Sequence, residues 1–170
     1  MQQTYAILFS LANKIQVKGD KFFEPLTSRQ YMAMVAIAHL PEDKTTLNNI
    51  ARKLGITKQS TKQLITIIEN KGYVSVVPSK IDKRANNVKF TKKGEEVSLI
   101  VSEKGIFFLE KLFNKFSTEE LETMWDLLKK LYSFDGEEQD GFEEEGNIKM
   151  DEDNNELQLR IMKEFKRRRN

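Results

Sequence analysis

Lys58 and Lys62 lie four residues apart, as do Gln59 and Gln63, and Thr66 continues the row. On a helix these side chains share one polar side. Their chemistry suits the edges of nucleic-acid bases. A glutamine amide can pair bidentately with adenine, and a lysine ammonium can donate to guanine O6 and N7. Thr57 and Ser60 stand where a helix start would offer hydroxyls and free backbone N–H groups to a phosphate. Further along, Lys80, Asp82, Lys83, Arg84 and Lys89 gather around a turn. A guanidinium there suits a narrow, strongly negative minor groove. The lysines would add a salt-sensitive attraction to phosphates. Taken alone, a lysine–glutamine face is ordinary solvated helix surface. Asp82 with Arg84 would likewise be an ordinary turn ion pair, worth ~0–1 kcal/mol if exposed. What decides between these readings is the set of elements that carries the residues.

Catalytic chemistry is hard to assemble from this chain. His39 is the single histidine and sits at the end of an apolar stretch beside Leu40-Pro41, so a helix-end residue is a better reading than a general base or ligand. There is no glycine-rich phosphate loop, zinc spacing or nucleophile elbow. Glu143-Glu144-Glu145 and Asp151-Glu152-Asp153 lack the alternating spacing and glycine of a calcium loop, and read as solvated acidic linker. The expectation is a protein with no enzymatic activity, no metal and no cofactor.

Composition narrows the class further. At 170 residues with 39% hydrophobic and 32% charged content, the chain suits one domain with a real core plus an appendage. It has no cysteine, which excludes disulfides, thiolate metal sites and a thiol redox switch. No apolar run is long enough for a transmembrane span. The opening MQQTYAILFSLANKIQ lacks the marks of a signal peptide, so a cytoplasmic location without membrane contact is expected. The net charge of +2 conceals a split: residues 1–134 carry +7 and residues 135–170 carry −5. Within the latter, 135–153 holds ten carboxylates against Lys149, whereas 154–170 is basic and finishes Lys166-Arg167-Arg168-Arg169. A basic body with an acidic appendage points to nucleic-acid contact for the body.

Residues 4–17 read as a helix that is apolar on more than one face and must be covered on a second side, by another subunit. Thr27 or Ser28 caps the next helix, which Pro41 ends; Thr45 and Thr46 cap a short one that Gly55 stops; Thr57 caps a helix over 58–71 that Gly72 stops. Two short helices joined by Leu54-Gly55-Ile56-Thr57 have the format of a helix-turn-helix, with Thr61, Leu64, Ile65 and Ile68 facing inward. Residues 73–77 and 88–90 are strands around a turn at 79–87, so a β-hairpin follows the helices and completes a winged helix. A long helix over 95–116, with Gly105 marking a bend, and another opened by Ser117-Thr118-Glu119-Glu120 complete the body. The fold expected is mainly α: a winged helix-turn-helix with a two-stranded β-wing, and long terminal helices that form a dimer interface. Its parts are an N-terminal dimerisation helix and connector (1–25), the winged-helix lobe (26–94), C-terminal dimerisation helices (95–134), an acidic linker (135–153) and a short basic terminal helix (154–170).

These residues resemble the multiple-antibiotic-resistance regulator (MarR) family of winged-helix repressors. The resemblance runs over 26–132 through LTSRQ, TLNNIARKLGITKQSTKQLITIIENKGYV and DKRANNVKFTKKG, in the family's order. Its most specific part is Asp82-x-Arg84 followed by a strand and Thr91-x-x-Gly94. The resemblance implies a homodimer bound to double-stranded DNA. Lys58, Gln59, Ser60, Lys62 and Gln63 then fall on the recognition helix, Arg84 on the arginine that enters the minor groove, and Asp82 on the carboxylate that orients it. It implies a sequence-specific regulator of transcription, a repressor of a pseudo-palindromic operator. It further implies a pocket for a small aromatic effector, for which Phe22, Phe23, Phe107, Phe108 and Trp125 are the candidate lining. Aromatics at these spacings also serve as core or dimer packing. The reading from a different class is a protein-interaction adaptor that keeps the winged helix while its polar helix face stays idle.

Overall fold

The computed structural model describes residues 1–82, 84–137 and 142. Lys83, most of the acidic linker and the terminal helix expected at 154–167 lie outside the described residues. Six helices and one hairpin follow in the order α1 (Gln2–Phe22), α2 (Ser28–Ala38), α3 (Leu47–Leu54), α4 (Lys58–Asn70), β1 (Val74–Pro78), β2 (Asn86–Phe90), α5 (Lys92–Phe113) and α6 (Thr118–Tyr132), ending in a 3-10 turn at Ser133–Asp135. None of the described helices is long and apolar enough to cross a membrane.

Side-chain caps set most of the helix starts. Thr27 and Gln30 form a reciprocal capping box, as do Ser117 and Glu120. Thr46, not Thr45, accepts the Asn49 amide at the start of α3. Thr45 is buried and used differently, its carbonyl accepting the amide of Val88 at 3.0 Å. Thr46 also pairs with Asn87 in an antiparallel bridge. The segment before α3 therefore meets the free edge of β2 through one bridge, a contact that the sequence pattern did not announce. Gly55 and Gly72, which end α3 and the turn after α4, take φ of +63° and +76°, a conformation that other residues adopt only with strain.

Two expectations need correction. The first helix is longer than residues 4–17, because its last turn is packed. A Cβ at Gly19 would overlap the Ser28 hydroxyl, so α1 continues to Phe22 against the start of α2. Gly105 marks no bend. It lies inside the continuous α5, where the Tyr31 hydroxyl would stand 2.7 Å from a Cβ, so the glycine serves close packing.

The core sits within the lobe. Met34 and Ile37 of α2, Ile50 of α3, Ile65 and Ile68 of α4, Val74 and Val88 of the hairpin, and Val97 and Val101 of α5 form one buried cluster. Outside it, α6 has no buried residue. Tyr5, Ile7 and Phe9 on α1 and Leu127, Leu128 and Leu131 on α6 are exposed.

The hairpin is locked to α5 at one joint. Thr91 caps α5 by accepting the Gly94 amide at 3.0 Å, and its hydroxyl donates to the Gly72 carbonyl at 2.6 Å. A Cβ on Gly94 would overlap the Tyr73 carbonyl oxygen, which is backbone and cannot step aside. Gly94→Ala is therefore expected to destabilise the protein by about 3 kcal/mol or more, read as a shift in the denaturant midpoint.

Candidate nucleic-acid interface

Helix α4 is built to present one face and bury the other. Thr61, Ile65 and Ile68 are buried, while Lys58, Gln59, Lys62, Gln63 and Thr66 are exposed. Thr57 accepts the Ser60 amide at 3.1 Å and donates its own proton to the Ser60 hydroxyl at 3.0 Å. The Thr57 hydroxyl is thus committed to the cap. A phosphate at this end would meet the Ser60 hydroxyl proton and the first amides of the helix.

The wing tip is organised by Ser79, a residue that carries no motif in the sequence. Ser79 is buried, and its hydroxyl accepts the amides of Ile81 and Asp82, each at 3.2 Å. Its own amide donates to the Ala85 carbonyl at 2.9 Å, and the Ala85 amide donates to the Asp82 carbonyl at 2.9 Å. The Asp82 carboxylate accepts the backbone amide of Arg84 at 2.9 Å. The sequence assigned this carboxylate to orienting Arg84; the bond goes to the main chain, which leaves the guanidinium on an exposed residue. Serine two positions before a turn is the local signal that could have revealed the nest. Lys80 is exposed nearby, and Lys83 lies outside the described residues. Lys89 is engaged elsewhere, with its ammonium 2.6 Å from the Glu42 carboxylate. An exposed pair of this type is worth ~0–1 kcal/mol.

Three of the five aromatics proposed for an effector pocket come together, in packing. Phe23 stacks on Tyr31 at 4.3 Å and meets Phe108 edge-on at 5.2 Å, and Phe22 lies 5.4 Å from Phe108. Phe107 is half-buried elsewhere along α5, and Trp125 lies on α6 under Lys129 at 5.3 Å. Two open grooves among the described residues are lined by other residues. One of about 590 Å3 runs between Ile15 and Gln16 of α1, Arg29 and Met32 of α2, and Ser60, Gln63 and Ile67 of α4. Another of about 1040 Å3 lies between Tyr5, Leu8 and Phe9 of α1, Leu128 and Leu131 of α6, and Ile56 in the helix-turn-helix. Tyr132 closes its end, with its hydroxyl 3.0 Å from where a Gly55 Cβ would stand.

A model described as the MarR family matches residues 24–85, the segment that holds α2, α3, α4, β1 and the wing tip. Over this lobe the chain is similar to the MarR family. A curated relative, the transcriptional activatory protein BadR of Rhodopseudomonas palustris, is 30% identical over 93 residues, 53% of this chain and 53% of that protein. The chain thus aligns with about half the length of this MarR-lobe relative. A MarR/EmrR family transcriptional regulator from Acinetobacter sp. ADP1 superposes with a TM-score of 0.71 at 22% identity, over 78% of this chain and 94% of that one. The MepR–DNA complex of S. aureus gives 0.68 at 24% identity, over 76% and 96%. At these identities the structural likeness establishes the fold, a winged helix set between long terminal helices.

Ser79→Ala removes the acceptor that holds two wing-tip amides. The expected outcome is faster hydrogen exchange at Ile81 and Asp82, with global stability lowered by only about 1 kcal/mol.

Proposed function

We propose that this chain is a sequence-specific DNA-binding regulator of transcription that acts as a homodimer. The observation that carries the reading is the exposed Lys58, Gln59, Lys62 and Gln63 row on a helix whose opposite face is core, beside a hydrogen-bonded wing tip that bears Arg84. In the family's docking geometry α4 enters the major groove, where these side chains meet base edges. Arg84 reaches the adjacent minor groove, and Ser60 and Lys80 contact phosphates.

Two copies would cover the apolar faces of α1 and α6, since patches of this extent mark an interface. Their two-fold symmetry calls for an inverted repeat with half-sites about one helical turn, ~34–36 Å, apart. Occupancy of such a site within a promoter represses by exclusion of the polymerase. A second reading, activation, is favoured by the name of BadR. Run-off transcription from the selected site, with and without the protein, separates the two. The groove between α1, α2 and the first turns of α4 is the place where a small aromatic effector would touch both the dimerisation helix and the recognition helix. An effector bound there alters DNA affinity only through a difference in its fit to the two arrangements. No step of this mechanism calls on catalysis, a metal or a cofactor.

The test is selection of bound duplexes from a random pool. The wild type is expected to enrich an inverted repeat, and Arg84→Ala to bind it about tenfold more weakly. Lys62→Ala is expected to lower affinity with a salt slope reduced by about 1 if it contacts phosphate, or to relax one base position if it contacts guanine. Absence of any enrichment from a folded dimer would favour the adaptor reading. Light scattering gives the second check: two copies for the wild type, and one for Leu127→Glu/Leu131→Glu, with operator binding lost alongside.

A further inference from the structure

Within residues 26–94, the large apolar side chains that stand exposed among the described residues are Met32, Ile56, Ile67 and Ile81. The first three line the groove between α1, α2 and α4, whose walls also hold Ala12, Ile15 and Leu64. Ile81 is different. It stands at the wing tip, 70% exposed, between the exposed Lys80 and Asp82. A single apolar residue on a surface needs no explanation by itself. Its setting supplies the reason to look further.

The turn that carries Ile81 holds its own backbone. The amides of Ile81 and Asp82 both donate to the buried Ser79 hydroxyl, and the Asp82 carboxylate accepts the Arg84 amide. The Ala85 amide donates to the Asp82 carbonyl and the Ser79 amide to the Ala85 carbonyl. Ile81 is therefore presented to solvent on a fixed base, three positions from Arg84. Isoleucine is β-branched and stiff at χ1, so it loses little side-chain freedom on insertion into a groove.

The two side chains ask different things of a minor groove. A guanidinium is drawn to a narrow one, whose negative potential is enhanced in A-tracts. An apolar side chain gains nothing from that potential. It gains by leaving water against the sugars and wedging at a base step, which partly unstacks the step and kinks the duplex. Pyrimidine–purine steps (TA, CA/TG) yield to this most easily. Lys80 and Arg84, cations before and after Ile81 in the chain, would hold the tip against phosphates. An apolar residue set among cations matches a polyanion better than it matches a neutral protein surface.

We propose that Ile81 determines part of the sequence specificity: it wedges into the minor groove beside Arg84, so that the step under each wing is a deformable pyrimidine–purine step and not an A-tract. This rests on the DNA-binding reading above. Specificity at that step is then read through deformation of the duplex, without a base-edge hydrogen bond.

The experiment selects bound duplexes with the full chain as wild type, Ile81→Val and Ile81→Ser. Ile81 is exposed, so neither replacement disturbs the core, and thermal unfolding checks this. The wild type and Ile81→Val are expected to enrich TA or CA/TG at the step under the wing. Ile81→Ser is expected to enrich the same bases under α4 and to shift the wing step towards A-tracts. The affinity ratio between a TA-step duplex and an A-tract duplex is expected to fall roughly three- to tenfold from wild type to Ile81→Ser. Energy transfer between the ends of a duplex of about 30 base pairs should report a smaller bend with Ile81→Ser. Equal wing steps and equal bends for wild type and Ile81→Ser would overturn the proposal. A uniform loss of affinity with an unchanged step preference would overturn it too, since Ile81 would then only pack on sugars. If the wild type enriches no repeat at all, the DNA-binding reading fails and the proposal falls with it.

Discussion

The backbone contact between Gly94 and Tyr73 is the constraint on which the rest of the molecule depends. Around it four parts of the chain converge. The Thr91 amide donates to the Tyr73 carbonyl at 3.1 Å, and the Thr91 hydroxyl to the Gly72 carbonyl at 2.6 Å. The Lys93 ammonium donates to the Lys71 carbonyl at 2.8 Å. The end of α4, both strands of the wing and the start of α5 therefore share one joint. Only a residue without a Cβ lets the α5 backbone approach this closely. Thr91 is needed beside it because the first amides of α5 would otherwise lack acceptors.

That joint explains why an exposed polar helix and an exposed hairpin act as one surface. The face of α4 is oriented by Thr61, Ile65 and Ile68, which are held in the core by α2, α3 and the hairpin. The wing is oriented by its register, Val74 opposite Phe90 and Val76 opposite Val88, and by the threonine segment against β2. Each contact element is rigid at its base and polar at its tip. A site that reads a duplex needs this, because base-edge hydrogen bonds tolerate little displacement.

Charge and apolar surface divide the molecule in a second way. The lobe satisfies its own core, whereas α1 and α6 display leucine, isoleucine, phenylalanine and tyrosine to solvent. Apolar exposure on this scale is unfavourable for a lone chain and marks an interaction surface. Lys53 is a lysine in the interior, and the ring of Phe142 lies over it. A residue of the acidic segment thus completes part of the lobe's packing.

Much of this is legible in the chain itself. Threonine or serine marks where five of the six described helices begin, because a cap is a contact between residues three apart. Gly55 and Gly72 mark where they stop, and the inward stripe of α4 follows from helical geometry alone. The row of Lys58, Gln59, Lys62 and Gln63 is legible for the same reason. What stays hidden depends on residues distant in sequence. Lys89 reads as a solvated cation, yet Glu42, 47 positions earlier, lies beside it. Phe23 and Phe108 read as the walls of a pocket and lie packed on each other, with Phe23 also stacked on Tyr31. Gly105 reads as a bend and is a place for the Tyr31 ring. Ser79 gives almost no signal, because its role is to accept amides of a turn whose shape the strands decide. The sequence by itself determined the elements, their caps and the chemistry of the exposed face, since these follow from interactions within a few residues. Only the tertiary structure decided which charges are partnered, which aromatics pack and where the appendage touches the lobe. Those outcomes depend on side chains that meet only once the chain has folded.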